Sequence, residues 1–146
     1  MAESSIGVVL GYSTDSGTNY TSAGCLLSLD VAGFTRDVKE GTCLSQTSLW
    51  KTFFGAFLDA GEITGEIDWV KAQYQAMFNL LDDSTLLTWR IVVPDGTDLA
   101  TPTTCTRLVC EGLLSKLGLG FPSDGDRIRA PFTIKLSGAP TLTLAS

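Results

Sequence analysis

Short segments in which apolar and polar residues alternate make up most of this chain. Between Ala23 and Val31, Cys25, Leu27 and Leu29 fall on one face, with polar residues on the other. This two-residue period is typical of a half-buried strand. The same period predicts strands over residues 62–69 and 127–136, an apolar run that ends at Pro94 predicts a buried strand over 86–93, and a further strand is predicted near 104–114.

One segment follows a helical period instead. Its apolar positions recur every three or four residues, which predicts a helix over residues 70–81 with one face against a sheet, and Asp68 as its N-cap. The apolar positions are Val70, Tyr74, Met77, Phe78 and Leu81.

Residues 33–61 have no single period and contain four glycines, which predicts a long loop. An aromatic cluster lies in it: Trp50, Phe53, Phe54 and Phe57. The cluster fits either a short helix that packs on the core or an exposed surface that another subunit covers. We take it as a candidate subunit interface.

The last predicted strand contains Pro131, which cannot donate a ladder hydrogen bond, so we expect a free edge or a bulge there. Residues 139–146 follow as a C-terminal arm. Leu142 and Leu144 make this arm apolar for a chain terminus, so we expect a neighbouring subunit to hold it.

The chain has 146 residues, which suits a single domain spanning 1–146, with residues 1–22 as an N-terminal arm or strand. Apolar residues make up 44% and charged residues 18%. So few charges suggest that partners bury part of the surface. No segment reads as a membrane span or a secretory signal, so we expect no membrane partner and assembly in a cytoplasm.

The charge and the residue types exclude several functions. A net charge of −6 disfavours phosphate-gripping contact with nucleic acid. The chain has no histidine, and therefore lacks the commonest general base and transition-metal ligand. Its four cysteines have no C-x-x-C spacing and are expected to be reduced and to fill the core. We predict no catalytic residues, no metal site and no cofactor.

Two sets of charged residues remain as candidate functional surfaces. Glu62, Glu66 and Asp68 share one face of a predicted strand. They fit an acidic lining of a channel, a carboxylate pair for acid–base chemistry, or a solvated face. The last predicted strand carries Arg127, Arg129 and Lys135, which either pair with acids of a neighbouring subunit or simply face solvent.

The order of several motifs resembles the siphophage major tail tube family, over roughly residues 34–142. The resemblance begins with W-K-T-F-F and D-A-G-E-I and continues through the amphipathic helix. It then includes W-R-I-V-V-P-D-G, and ends with T-I-K-L-S-G-A-P. These motifs occupy residues 50–54, 59–63, 89–96 and 133–140.

This resemblance implies a mainly β fold, a sandwich or barrel-like tail tube domain with one flanking helix. Strands of identical subunits would join an inner barrel, closing hexameric rings that stack into a tube. Implied partners are the tape measure protein, the tail tip and tail terminator proteins, and phage DNA that passes during ejection without specific binding. The expected location is the virion tail, and no enzymatic activity is expected. A monomeric adhesin or carbohydrate-binding module is the alternative.

Overall fold

The computed structural model describes residues 7–43, 47, 49–82, 86–95 and 105–145. These residues form nine strands and one helix in the described part of the chain. The strands are β1 (Val9–Ser13), β2 (Thr21–Ser22), β3 (Leu26–Val31), β4 (Thr35–Glu40), β5 (Phe53–Asp59), β6 (Glu62–Asp68), β7 (Leu87–Val92), β8 (Arg107–Leu117) and β9 (Arg129–Thr143); the helix is α1 (Lys71–Asp82).

Seven strands form one antiparallel sheet in the order β2-β1-β7-β8-β9-β6-β3, and β4 pairs with β5 in a separate two-stranded ribbon. The large sheet curls. Residues of β3 at one edge line a common cleft of about 840 Å³ with Val8, Ile91 and Val93, which lie near the other edge. The mainly β, barrel-like fold expected from the sequence is confirmed.

The core lies on the inner face of the curled sheet. Trp89 of β7 is fully buried there, and its Nε1 donates a 3.2 Å hydrogen bond to the carbonyl oxygen of Gly112. Met77 and Leu80 attach α1 to the same core, which confirms the flanking helix, whereas Val70, Phe78 and Leu81 of its predicted core face are exposed. The predicted N-cap is wrong, because α1 begins at Lys71 and Asp68 ends β6.

The long loop predicted over 33–61 is also wrong, because β4 and β5 occupy much of it. They pair from Thr35 opposite Asp59 to Glu40 opposite Phe53. The residue pattern did not indicate these two strands, because apolar and polar residues alternate only in a strand with one buried and one solvated face. Here every residue of β4 and nearly every residue of β5 is exposed.

The predicted C-terminal arm proves to be strand. β9 continues to Thr143, and Leu142 pairs with Leu108 of the same chain. Ala145 donates to the Thr106 hydroxyl at 3.0 Å, so residues just before β8 hold this segment within the subunit. At the N-terminal end, residues 1–6 lie outside the described residues and the rest of the predicted arm contains β1 and β2.

The expectation of a free edge at Pro131 is wrong, whereas the alternative, a bulge, lies nearby: the β8–β9 register shifts between Leu114 and Lys116, opposite Ile134 and Thr133. β9 has β6 on one side, where Pro131 faces Glu66, and β8 on the other. β8 ends at Leu117, opposite Phe132, so Pro131 lies one residue beyond the end of the β8–β9 ladder. Beyond it, the Gly118 N–H donates to the Pro131 carbonyl at 2.8 Å. The missing donor therefore coincides with the end of a neighbouring strand.

The cysteines divide between core and surface. Cys105 and Cys110 are buried, as expected, and burial raises the pKa of the Cys110 thiol to about 11. Cys25 and Cys43 are exposed, so the expectation that all four fill the core is wrong for these two.

Candidate assembly surfaces

The ribbon formed by β4 and β5, called the arm below, exposes large apolar side chains. Consecutive residues of a strand point to opposite faces, so Phe53 and Phe54 lie on opposite faces, as do Phe57 and Leu58. Phe57 is 86% exposed and Trp50, just before β5, is 83% exposed. A two-stranded ribbon with no core of its own is marginal in water, and exposed patches of this kind mark interaction surfaces.

The base of the arm has a defined geometry. Gly61 has φ +79°, and a Cβ on it would lie 2.8 Å from the carbonyl oxygen of Gly33 in the β3–β4 connection. The Gly61 N–H donates to the Asp59 carboxylate at 2.9 Å, and the Lys135 ammonium lies 3.9 Å from the same group. Residues 33 and 61 therefore approach closely where the β3–β6 pair continues into the arm, and glycine at position 61 permits this approach.

The two charged sets lie on the outer face of the sheet, opposite the core. Glu66 and Asp68 of β6 alternate with buried Ile63 and Ile67, and Glu62 lies on the same face. This alternation was visible in the sequence. The neighbouring strand β9 places Arg129 and Lys135 on this face too, since they pair in register with Asp68 and Glu62.

The bases form ion pairs with acids of their own chain. Arg129 lies 3.8 Å from Glu66 and 2.9 Å from Asp126, and Arg127 lies 3.6 Å from Asp68. Backbone donation from Arg127, followed by the Arg129 guanidinium, holds the pKa of the Asp126 carboxyl below its usual range. The outer face therefore carries both signs of charge, and the predicted acidic residues are interleaved with the predicted basic ones.

The other two predicted interface residues lie apart from both sets. Leu142 and Leu144 are 63% and 70% exposed at the far end of β9, beside β8. The structure thus distributes the predicted site residues over three surfaces: the arm, the charged outer face and the C-terminal end.

Sequence reasoning expected a free edge at Pro131 and missed the edges that the structure leaves open. In the described residues β3 pairs only with β6, and β7 pairs with β8 only as far as Gly112. Residues 113–117 of β8 consequently have β9 on one side alone. Strand pairing between distant segments leaves no local signal in a sequence, so neither edge could have been found from the residue pattern.

These two edges bound a four-stranded half of the sheet, made of β3, β6, residues 129–135 of β9 and residues 113–117 of β8. Asp30 projects from the edge strand β3 and Lys116 from residues 113–117 of β8, and both are exposed on the outer face. Within the residues that the structure describes, neither side chain is in an ion pair. Unpaired edges are sites where another strand can add.

No group of three or more histidine, cysteine, aspartate or glutamate residues that could hold a metal ion occurs among the described residues. None of the helical residues in the described ranges forms a segment long and apolar enough to cross a membrane.

Comparison with known proteins identifies the fold but no family. No protein-family model matches the chain, and no curated protein matches its sequence. A chain from the tail of an empty GTA particle, obtained by helical refinement with C6 symmetry, superposes with a TM-score of 0.74 at 12% identity. That alignment covers 97% of this chain and 99% of the other.

Two further structures have the same fold. A chain of the virion of a native gene transfer agent (GTA) particle gives a TM-score of 0.67 at 11% identity, over 97% of this chain and 99% of that one. A chain of the anti-feeding prophage (AFP) baseplate gives 0.68 at 9% identity, over 99% and 95%. The protein therefore shares its whole fold with chains of tail-bearing, phage-like particles.

Proposed function

We propose that this protein is a structural subunit of a bacteriophage tail tube, of the siphophage type that its motifs resemble. Hexameric rings of the subunit stack into a hollow tube for genome ejection. The observation that carries the proposal is the arm: a two-stranded ribbon with aromatic side chains exposed on both faces. Packing between neighbouring copies would bury those side chains, which a solvated monomer leaves in water.

The two open edges of the four-stranded half support ring closure. They lie on opposite sides of it, so the β3 edge of one copy can meet residues 113–117 of the next in a head-to-tail contact that repeats around a ring. Four strands are an even number, so antiparallel alternation continues across every such junction. Asp30 and Lys116 then approach each other from opposite copies, and their charges are complementary.

In this arrangement the charged outer face lines the channel and the helix lies away from it. Acids and bases of one chain already neutralise each other there, at Arg129–Glu66 and Arg127–Asp68. Such a wall offers passing DNA neither a row of free cations nor a continuous binding surface. The tape measure protein would occupy the channel during assembly, and tail tip and terminator proteins would bind the two ends of the tube in the virion.

Electron microscopy of the concentrated protein tests the proposal, with and without purified tail tips as seeds. The matched variant replaces residues 34–59 with a short turn, which the close approach of Gly33 and Gly61 allows. We expect rings or tubes from the wild type, and a folded monomer that never assembles from the variant. Uniformly small particles of the wild type that bind a glycan would refute the proposal and favour an adhesin or carbohydrate-binding module.

A further inference from the structure

Two apolar surfaces outside the arm remain accessible in the part of the chain that the structure describes. One is the cleft of about 840 Å³ between β3 and the β1–β7 side of the curled sheet. Its lining is apolar apart from a few residues, and it includes Leu29, Val31 and Ile91. The other lies on α1, where Phe78 is 48% exposed and Leu81 is 36% exposed.

Phe78 and Leu81 lie three residues apart and therefore share one side of the helix. Tyr74, four residues before Phe78, lies on that side too and packs against the core, so Phe78 and Leu81 extend the core-facing side that carries Met77 and Leu80. The apolar side of α1 is therefore wider than the part that the core covers, and Phe78 and Leu81 form its exposed margin.

The course of α1 separates its exposed margin, Phe78 and Leu81, from the cleft of the same subunit. The helix follows β6 at the end where the Asp68 N–H donates to the Cys25 carbonyl at 2.8 Å, beside the start of β3. It then crosses the core and packs against β8, sharing the core cluster with Leu114. Its second half, with Phe78 and Leu81, therefore lies towards the β8 edge, whereas the cleft opens at the β3 edge.

We propose that Phe78 and Leu81 of one copy fill the β3 cleft of the next copy in the ring. This inference rests on the proposed function, because it takes the β3 edge to meet residues 113–117 of a neighbour. Complementary charges at Asp30 and Lys116 favour that approach. Since α1 and the cleft both lie on the inner side of the sheet, the same approach brings the helix of one copy to the cleft of the other.

The contact would complete the core of each subunit from outside. The apolar lining of the cleft contacts water in the monomer and becomes buried on assembly. This burial stabilises the closed ring in addition to the strand pairing. A dye that binds apolar surface should therefore fluoresce with monomers and lose that signal as rings form.

Native Cys25 lines the cleft with an exposed thiol and supplies a probe. In a Cys43→Ser background, Phe78→Cys is assembled and treated with a short bismaleimide. The matched control is Ala72→Cys, exposed on the other side of α1. We expect a ladder of covalently linked subunits from Phe78→Cys and monomers from Ala72→Cys.

Assembled tubes in which both variants link equally, or in which neither Phe78→Cys nor Leu81→Cys links, would overturn the inference and leave the proposed function intact. Loss of assembly in Phe78→Cys at unchanged monomer melting temperature, with normal assembly of Ala72→Cys, would support it. A wild type that never assembles, even when seeded, overturns both.

Discussion

Replacing Phe57 with serine separates assembly from folding more cleanly than any other change on the arm. Phe57 is 86% exposed, so the monomer gains little from it and Phe57→Ser should change the free energy of unfolding by less than about 0.5 kcal/mol. In a tube where a neighbour buries the ring, its loss should cost about 1.5–3 kcal/mol per contact. Because about 1.4 kcal/mol corresponds to tenfold, the critical concentration for assembly should rise roughly 10- to 100-fold.

Sedimentation of tubes at a series of protein concentrations gives the critical concentration, and thermal unfolding of the monomer gives its stability. Phe121→Ser is the matched control, since Phe121 is an aromatic side chain 69% exposed in the β8–β9 connection, away from the arm. It should leave both quantities nearly unchanged. An unchanged critical concentration for Phe57→Ser would refute the assignment of the arm to an interface, and a large fall in monomer stability would show that the ring packs within its own subunit.

Three predictions concern the subunit itself. Trp89→Ala should lower the free energy of unfolding by about 3–5 kcal/mol, measured by urea denaturation, because it empties a fully buried site; a loss under about 1 kcal/mol would contradict the packing. Gly61→Ala should destabilise by about 1–3 kcal/mol from its positive φ and its contact with Gly33, and more than Gly125→Ala, which has a similar φ and open space; equal melting temperatures would contradict the crowding. The Ser13 hydroxyl, then Asn19, lower the pKa of Asp15 from 3.8 to about 2. A lowered carboxyl pKa stabilises the fold above the unfolded value, so this contribution should fade between about pH 4 and pH 2, and Asp15→Asn should flatten the melting temperature over that window.

Local periodicity was sufficient for the elements that have one face on the core. Met77 of α1 and the alternation of Ile63 and Ile67 in β6 each identified an element and its buried face. The motif order also pointed to the fold that chains of the GTA tail and the AFP baseplate share. The placement of Glu62, Glu66 and Asp68 on a single face followed from the same two-residue period.

The only sequence signal for the arm was its content of aromatic residues. The aromatic residues near Phe53 and Phe57 were recognisable as a candidate interface, but their strand was not, because side chains exposed on both faces leave no alternation. The pairing of β4 with β5 is a contact between segments, and the residue pattern of either one does not encode it.

What the sequence by itself determined is therefore the elements whose core-facing side has a clear period, such as β6 and α1, and which residue types are missing, above all histidine. Only the tertiary structure decided that Arg129 and Glu66 pair within one chain, that β9 runs on to Thr143, and which sheet edges stay open. The physical reason is the separation along the chain between the residues that interact. Burial imposes a period on neighbouring residues, whereas ion pairs, strand order and free edges depend on residues brought together from far apart along the chain.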